Sequence, residues 1–342
     1  MSGGFRVKRC WIDERLEKGF SPRDLRAILE SDESDFELIR EKAVEVRRRY
    51  FGDRAYIRAV IEFSNRCRCS CLYCGMRLGN QGAAGYELGA DEIVETAATA
   101  LRNGIRTFFL QAAESETYES GWLTDVIRRV SGMGMEVILC VGFHNTRDLD
   151  DWHAAGAGKF ILKHETSDAG LFAGMKPGFT LSDRIEMLRL LQKHGYSVGS
   201  GTLLGLPGQS VDSLVGDLLL MKELGVQMSS VSVFMPASGT PLADHPSGDP
   251  ELGLRFIAAM RLYLQNTLIP ATSTFQKLLP DGQYRCFEAG ANVITVNMTP
   301  PRLRDEYTLY TNRFFVSLAH ARETMARAGL TEASEEDRNS PR

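Results

Sequence analysis

Four of the seven cysteines fall within eight residues, in the run Ser64-Asn65-Arg66-Cys67-Arg68-Cys69-Ser70-Cys71-Leu72-Tyr73-Cys74-Gly75. Cys67, Cys71 and Cys74 stand at C-x3-C-x2-C spacing. Three thiolates so spaced suit three irons of a cubane cluster, for which cysteine is the usual protein ligand. The fourth iron is then left without a protein ligand. An open metal position is what chemistry on a bound molecule requires, by the logic that separates catalytic from structural zinc sites. Cys69 reads as a bystander thiol, because a set of Cys69, Cys71 and Cys74 would have the wrong spacing. Two other readings stand beside this one. A structural zinc site wants four ligands in two separated pairs, and no second Cys/His pair occurs at such spacing. A purely structural cluster is the other. Cys10 reads as a surface or interface thiol, and the isolated Cys140 and Cys286 as core residues rather than ligands.

Such a cluster needs a scaffold. Short apolar runs cover residues 57–63, 107–111, 136–142, 159–163, 197–204, 229–234, 269–274 and 291–295. Helical patterns lie between them at 91–103, 122–132, 146–155, 182–194, 211–224, 251–265 and 284–289, with a last one at 315–328. Eight strand-like runs, each followed by a helix, predict an α/β protein of the (β/α)8 barrel type. The runs are apolar on both faces, as strands of a buried parallel sheet should be. A doubly wound open sheet is the structural alternative. In a barrel the active site sits at the C-terminal ends of the strands, so the cysteine run, just after the first strand, falls at the barrel mouth. Residues 1–50 read as a helical extension, with Ser21-Pro22 starting one helix, residues 51–330 as the barrel, and the polar residues 331–342 as a disordered tail.

Composition narrows the setting. The chain has 342 residues, 43% hydrophobic and 25% charged, with a formal net charge of −4. That balance fits a globular protein with a substantial core and no overall basic field for nucleic acid. No apolar run approaches the roughly 20 residues that span a membrane. The N-terminal segment lacks the apolar core of a signal peptide. A cytoplasmic location is therefore expected, where clustered cysteines mean metal or redox chemistry rather than disulfides.

The C-x3-C-x2-C pattern with an aromatic residue, Tyr73, before its last cysteine resembles the signature of the radical S-adenosylmethionine (SAM) superfamily. Ile61-Glu62-Phe63-Ser64-Asn65 and Cys71-Leu72-Tyr73-Cys74-Gly75 are similar to its biotin-synthase-like branch. Within that branch the chain resembles the HydE family of [FeFe]-hydrogenase maturases and the PylB family of methylornithine synthases. Lys163-His164-Glu165-Thr166, Gly205-Leu206-Pro207-Gly208-Gln209, Ile269-Pro270-Ala271-Thr272, Gly290-Ala291-Asn292-Val293-Ile294, Asn297-Met298-Thr299-Pro300 and Tyr307-Thr308-Leu309-Tyr310 carry the likeness across residues 50–315.

The resemblance implies a [4Fe–4S] cluster on Cys67, Cys71 and Cys74 whose open iron binds SAM, and reductive cleavage of SAM to a 5′-deoxyadenosyl radical. It places Tyr73 beside the adenine, Ala112, Ala113 and Glu114 near the SAM amino group, and the strand containing Leu204 beside the adenosine. Glu165 would accept from the amino group or the ribose, and Arg184 would pair with the SAM carboxylate, which suits its bidentate fork. Lys163, Thr272, Ser273 and Tyr310 would line the chamber of a small, amino-acid-like substrate. Lys163 stands where HydE proteins commonly have Arg, keeping the charge and losing the fork. His164, alternating with its neighbours, is expected to face the outer helices as a structural residue.

The resemblance further implies an electron donor such as flavodoxin or ferredoxin. Three departures from HydE point to an altered substrate pocket: Ala112-Ala113-Glu114-Ser115 replaces Ser-Gly-Glu-Asp, Val137-Ile138-Leu139-Cys140 is apolar, and Tyr86-Glu87 replaces a Tyr-Arg pair. No cysteine follows Cys286, so no auxiliary cluster is expected. HydE-like maturation chemistry is the leading expectation. A PylB-like amino-acid mutase, a related enzyme with another substrate and a non-catalytic iron–sulfur scaffold are the alternatives.

Overall fold

A computed structural model describes residues 9–80, 84–115, 120–142 and 145–334. Seven parallel strands make the wall: β1 (Arg54–Ser64), β2 (Thr107–Ala112), β3 (Glu136–Cys140), β4 (Lys159–Ile161), β5 (Ser197–Leu204), β6 (Met228–Val233) and β7 (Val293–Asn297), in the spatial order β6-β5-β4-β3-β2-β1-β7. The gap between β6 and β7 is spanned by residues 268–270. Leu268 bridges Met228, and Pro270 bridges Val293, both parallel. The expected strand at 269–274 is thus reduced to isolated bridges. Pro270 has no N–H to give a ladder, and by Ser273 the chain has entered a helix.

Helices follow the strands on the outside. After α1 (Arg9–Lys18), α2 (Pro22–Leu29) and α3 (Glu33–Phe51) come α4 (Ala90–Arg102), α5 (Ser120–Gly132), α6 (Thr146–Ala154), α7 (Ala169–Met175), α8 (Leu181–Lys193), α9 (Val211–Glu223), α10 (Pro250–Leu264), α11 (Ser273–Leu278), α12 (Gly282–Glu288) and α13 (Leu318–Arg327). Ser21 caps α2 reciprocally with Asp24, and Pro22 occupies the first turn, where its missing N–H costs nothing. α2 packs on α9 and α10, and α3 on α10.

The period-2 alternation of the strands sorts side chains into two apolar clusters. Ile57, Ala59, Ile61 and Phe63 of β1 face the helices and join the large outer core. Tyr56 and Val60 face inward with Phe109, Ile138, Ile161, Met228 and Val293, and plug the lower barrel. Phe51, at the end of α3, joins this plug. Above it the interior is open.

The disordered tail expected from residue 331 does not begin there. Thr331–Glu332 form a last strand, β8, paired with Arg54 and Ala55 at the start of β1, while 335–342 lie outside the described residues. Among the described residues no helix is long and apolar enough to cross a membrane.

Candidate active site

The open interior is a cavity of about 390 Å³ at the C-terminal ends of the strands. The cysteine loop, leaving β1, forms part of its wall, and Cys67, Cys69, Cys71, Tyr73 and Cys74 all line it. Backbone bonds fix the loop on several sides. Ala113 N–H donates to Ser64 O (2.9 Å), Arg68 N–H to Glu114 O (2.9 Å) and Leu72 N–H to Met175 O (2.9 Å). Arg77 Nε donates to Cys71 O (3.1 Å) and Asn80 Nδ2 to Gly75 O (2.6 Å). Asn65 Nδ2 ties the loop to the C-terminal segment through Glu306 O (2.8 Å).

Burial pushes the Cys74 thiol up to about 12. Hydrogen bonding with Cys67, with burial, raises Cys69 to about 11 against the opposing hydrogen bond with Cys71. Cys71 is raised by its contact with Cys69 and by burial, whereas the hydrogen bond from Cys69 lowers Cys67. Metal ligation needs thiolates, so loading this site releases protons. Soft sulfur donors grouped on one loop beside a cavity fit an iron–sulfur cluster.

Glu114 follows β2 and is buried among three cations. Arg68 lies 3.3 Å from it, and Lys176 and Arg184 each 3.8 Å. Gly142 makes room: a Cβ there would stand 2.4 Å from Glu114 Cγ. Ala112 and Ala113 are buried beside it and line the cavity. Arg184 comes from α8 yet is only 4% exposed, so it is a cavity residue and not a surface one.

Glu165 follows β4 with φ +65°, a left-handed conformation that a Glu seldom adopts. Its N–H donates to Gly201 O (3.0 Å) and its O accepts from Leu203 N–H (2.8 Å). These bonds to β5 hold the strained backbone. Its carboxylate faces Lys163 Nζ at 3.7 Å, and Lys163 also reaches Ser232 Oγ at 3.4 Å.

The remaining expected chamber residues also line the cavity. Thr272 Oγ1 donates to Val231 O (3.1 Å), and Ser273 Oγ lies 3.1 Å from the Tyr310 hydroxyl. His164 is fully buried behind the wall, 2.9 Å from Ser200 Oγ and 3.8 Å from Asp217 of α9.

Two expectations need correction. Leu204 packs in the outer core, and its neighbour Leu203 lines the cavity instead. A one-residue displacement along a strand exchanges the faces. Cys140, expected in the core, is only partly buried: it packs against the inner plug and also lines the cavity, its thiol raised to about 11 by burial. Cys286 is fully buried and Cys10 exposed.

Sequence reasoning missed Lys176, Glu62 and Arg313. Lys176, 7% exposed, has Nζ within 3.6 Å of Cys71 Sγ. Glu62 accepts from Arg313 (3.2 Å to Nη1), Asn297 Nδ2 (3.1 Å) and Thr299 Oγ1 (3.2 Å). Glu62 carried a signal, being a carboxylate within a largely apolar strand in which Arg58 is also charged. Lys176 and Arg313 carried none, because a charge in a loop segment is ordinarily solvated.

Residues 61–221 match the profile of the radical SAM superfamily, and residues 230–331 that of the Biotin and Thiamin Synthesis associated domain. The [FeFe] hydrogenase maturase subunit HydE of Thermotoga maritima is 38% identical over 307 residues, 89% of this chain and 88% of that one. The 3-methylornithine synthase of Methanosarcina acetivorans is 30% identical over 288 residues, 82% of this chain and 81% of that one. Among solved structures, methylornithine synthase (PylB) superposes with a TM-score of 0.85 at 25% identity, covering 95% of this chain and 98% of its own.

Proposed function

The chain belongs to the radical SAM superfamily, and from that premise we propose that Cys67, Cys71 and Cys74 hold its [4Fe–4S] cluster at the mouth of the barrel. It is a radical SAM enzyme whose cofactors are that cluster and SAM. When bound, the reduced cluster supplies the electron that breaks the C5′–S bond of SAM and yields a 5′-deoxyadenosyl radical. The protein's own residues do the rest. Arg184 offers its fork to the SAM carboxylate. The strained turn at Glu165 aims a carboxylate at the amino group or ribose hydroxyls. Ala112 and Ala113 let the backbone come close, and Tyr73 flanks the adenine. The enclosing wall excludes water, which protects a reactive radical from side reactions.

The substrate is small and amino-acid-like, anchored by Lys163 and hydrogen-bonded by Thr272, Ser273 and Tyr310. The reaction is HydE-like, in maturation of the [FeFe]-hydrogenase active site. The observation that carries this reading is that the cysteine loop, Glu165, Arg184 and these four polar side chains line one cavity. A PylB-like mutase remains a second reading because of the structural likeness to PylB over nearly the whole chain. We further take residues 51–330 as the catalytic unit and 1–50 as a helical extension, flavodoxin or ferredoxin as the electron donor, and the cytoplasm as the location.

Anaerobic reconstitution followed by SAM and dithionite tests the chemistry: 5′-deoxyadenosine is the expected product. An intact cluster that yields none would reject the enzyme and leave a scaffold. Conversion of lysine to 3-methylornithine by the reconstituted protein would decide for the mutase; restored hydrogenase activity in a maturase-deficient extract would decide for HydE-like function.

A further inference from the structure

Resting on the cluster assignment above, the geometry points to Lys176 as a positioning residue that sets the cluster's reduction potential by donating N–H to the Cys71 sulfur. Lys176 Nζ lies 3.6 Å from Cys71 Sγ and 3.8 Å from Cys69 Sγ. It also stands 3.8 Å from Glu114 Oε2 and lies over the Phe179 ring at 4.8 Å. The side chain is buried, only 9% exposed.

Its place is fixed by the backbone. Lys176 ends α7, with its N–H on Phe172 O. Pro177 follows, which bars further helix and keeps Lys176 out of the α region. The carbonyl of Met175, one residue earlier, accepts from Leu72 N–H in the middle of the cysteine loop. Lysine and loop are thus joined by a main-chain bond, and the ammonium keeps its station when the loop is loaded.

A cluster on three thiolates gains one negative charge when a one-electron donor reduces it. A buried ammonium in hydrogen-bond range of a ligand sulfur stabilises that added charge more than it stabilises the oxidised state. Net charge and hydrogen bonds to the sulfurs are among the determinants of cluster potential, and low dielectric strengthens both. Removing the charge should therefore make the cluster harder to reduce. Glu114, 3.8 Å from the same ammonium, compensates its charge in the buried site.

The test compares wild type, Lys176→Met and Lys176→Arg after anaerobic reconstitution, by iron content and by the midpoint potential of the reduced-cluster paramagnetic signal in a dithionite titration. Expected are equal iron in all three, a more negative midpoint in Lys176→Met, and a midpoint near wild type in Lys176→Arg. Equal midpoints in wild type and Lys176→Met overturn the inference. So does loss of iron from Lys176→Met, since the role claimed concerns potential and not retention. A weaker grip on SAM with an unmoved midpoint overturns it as well. A wild-type protein that assembles no cluster would instead sink the cluster assignment.

Discussion

A Cβ placed on Gly75 would stand 2.3 Å from the carbonyl oxygen of Thr308 and 2.9 Å from its hydroxyl. The cysteine loop and the C-terminal segment therefore meet backbone to backbone, and only glycine permits it. Gly75→Ala must push the two apart. We expect a loss of roughly 1–3 kcal/mol of stability, the usual range for overpacking, together with fewer irons per chain after reconstitution. Chemical denaturation and iron analysis read both; an unchanged protein by both measures would contradict the contact.

Arg313 and Glu62 form a buried pair, with side chains 10% and 2% exposed. Arg313→Met leaves the Glu62 carboxylate without its cation. The expected cost is about 3–5 kcal/mol in urea unfolding of the unloaded protein. The double variant Glu62→Gln/Arg313→Met should recover part of it, because the uncompensated charge is gone. A double variant worse than the sum of the singles would contradict this account.

The proposed ligand set separates by single substitutions. Cys67→Ala, Cys71→Ala and Cys74→Ala should each abolish the cluster absorption of the anaerobic protein, and Cys69→Ala should keep it. A full cluster in any of the first three, or its loss in Cys69→Ala, would force a different set.

Glu165 and Arg184 should act on SAM and not on iron. Glu165→Gln and Arg184→Ala are each expected to weaken SAM binding about 10- to 100-fold, the effect of roughly 1.5–3 kcal/mol for a charge-assisted bond. Calorimetric titration of SAM into reconstituted protein measures it, with iron content as the control. Loss of iron in Arg184→Ala would mark a structural residue.

Asp217 gives a pH signature. Burial pushes its carboxyl from 3.8 up to about 7. The folded state then holds a proton that the unfolded chain releases, so this contribution is full below pH 3.8 and declines as pH rises through about 7. His164 beside it is held at about 3 by burial and acts oppositely, losing its contribution as pH falls below 6.5. The clean measurement is therefore a difference. The stability of Asp217→Asn relative to wild type should improve with rising pH over that window, by at most roughly 1.4 kcal/mol per unit. A flat difference would contradict a neutral Asp217.

Local patterns made much of the wall legible. The runs at 57–63, 107–111 and 197–204 fall within β1, β2 and β5, because apolar residues bounded by turns and helices leave few other places for a strand. The run at 269–274 misled, since Leu268 and Pro270 make only isolated bridges to the two flanking strands and Ser273 already begins α11. Leu204 failed for a finer reason: which face a strand residue takes depends on register, and register is settled by pairing with the neighbour. Lys176 and Arg313 were invisible, each being an ordinary charge in an irregular segment.

By itself the sequence determined the thiol spacing, the alternation of apolar runs with helices and hence the barrel class, since these depend on residues close along the chain. Only the tertiary structure decided that Glu114 is ringed by Arg68, Lys176 and Arg184, and that Arg313 finds Glu62 across 251 positions. Burial converts scattered surface-type charges into paired ones, because an isolated charge inside a protein is too costly to keep, and which charges meet is settled only when distant segments pack.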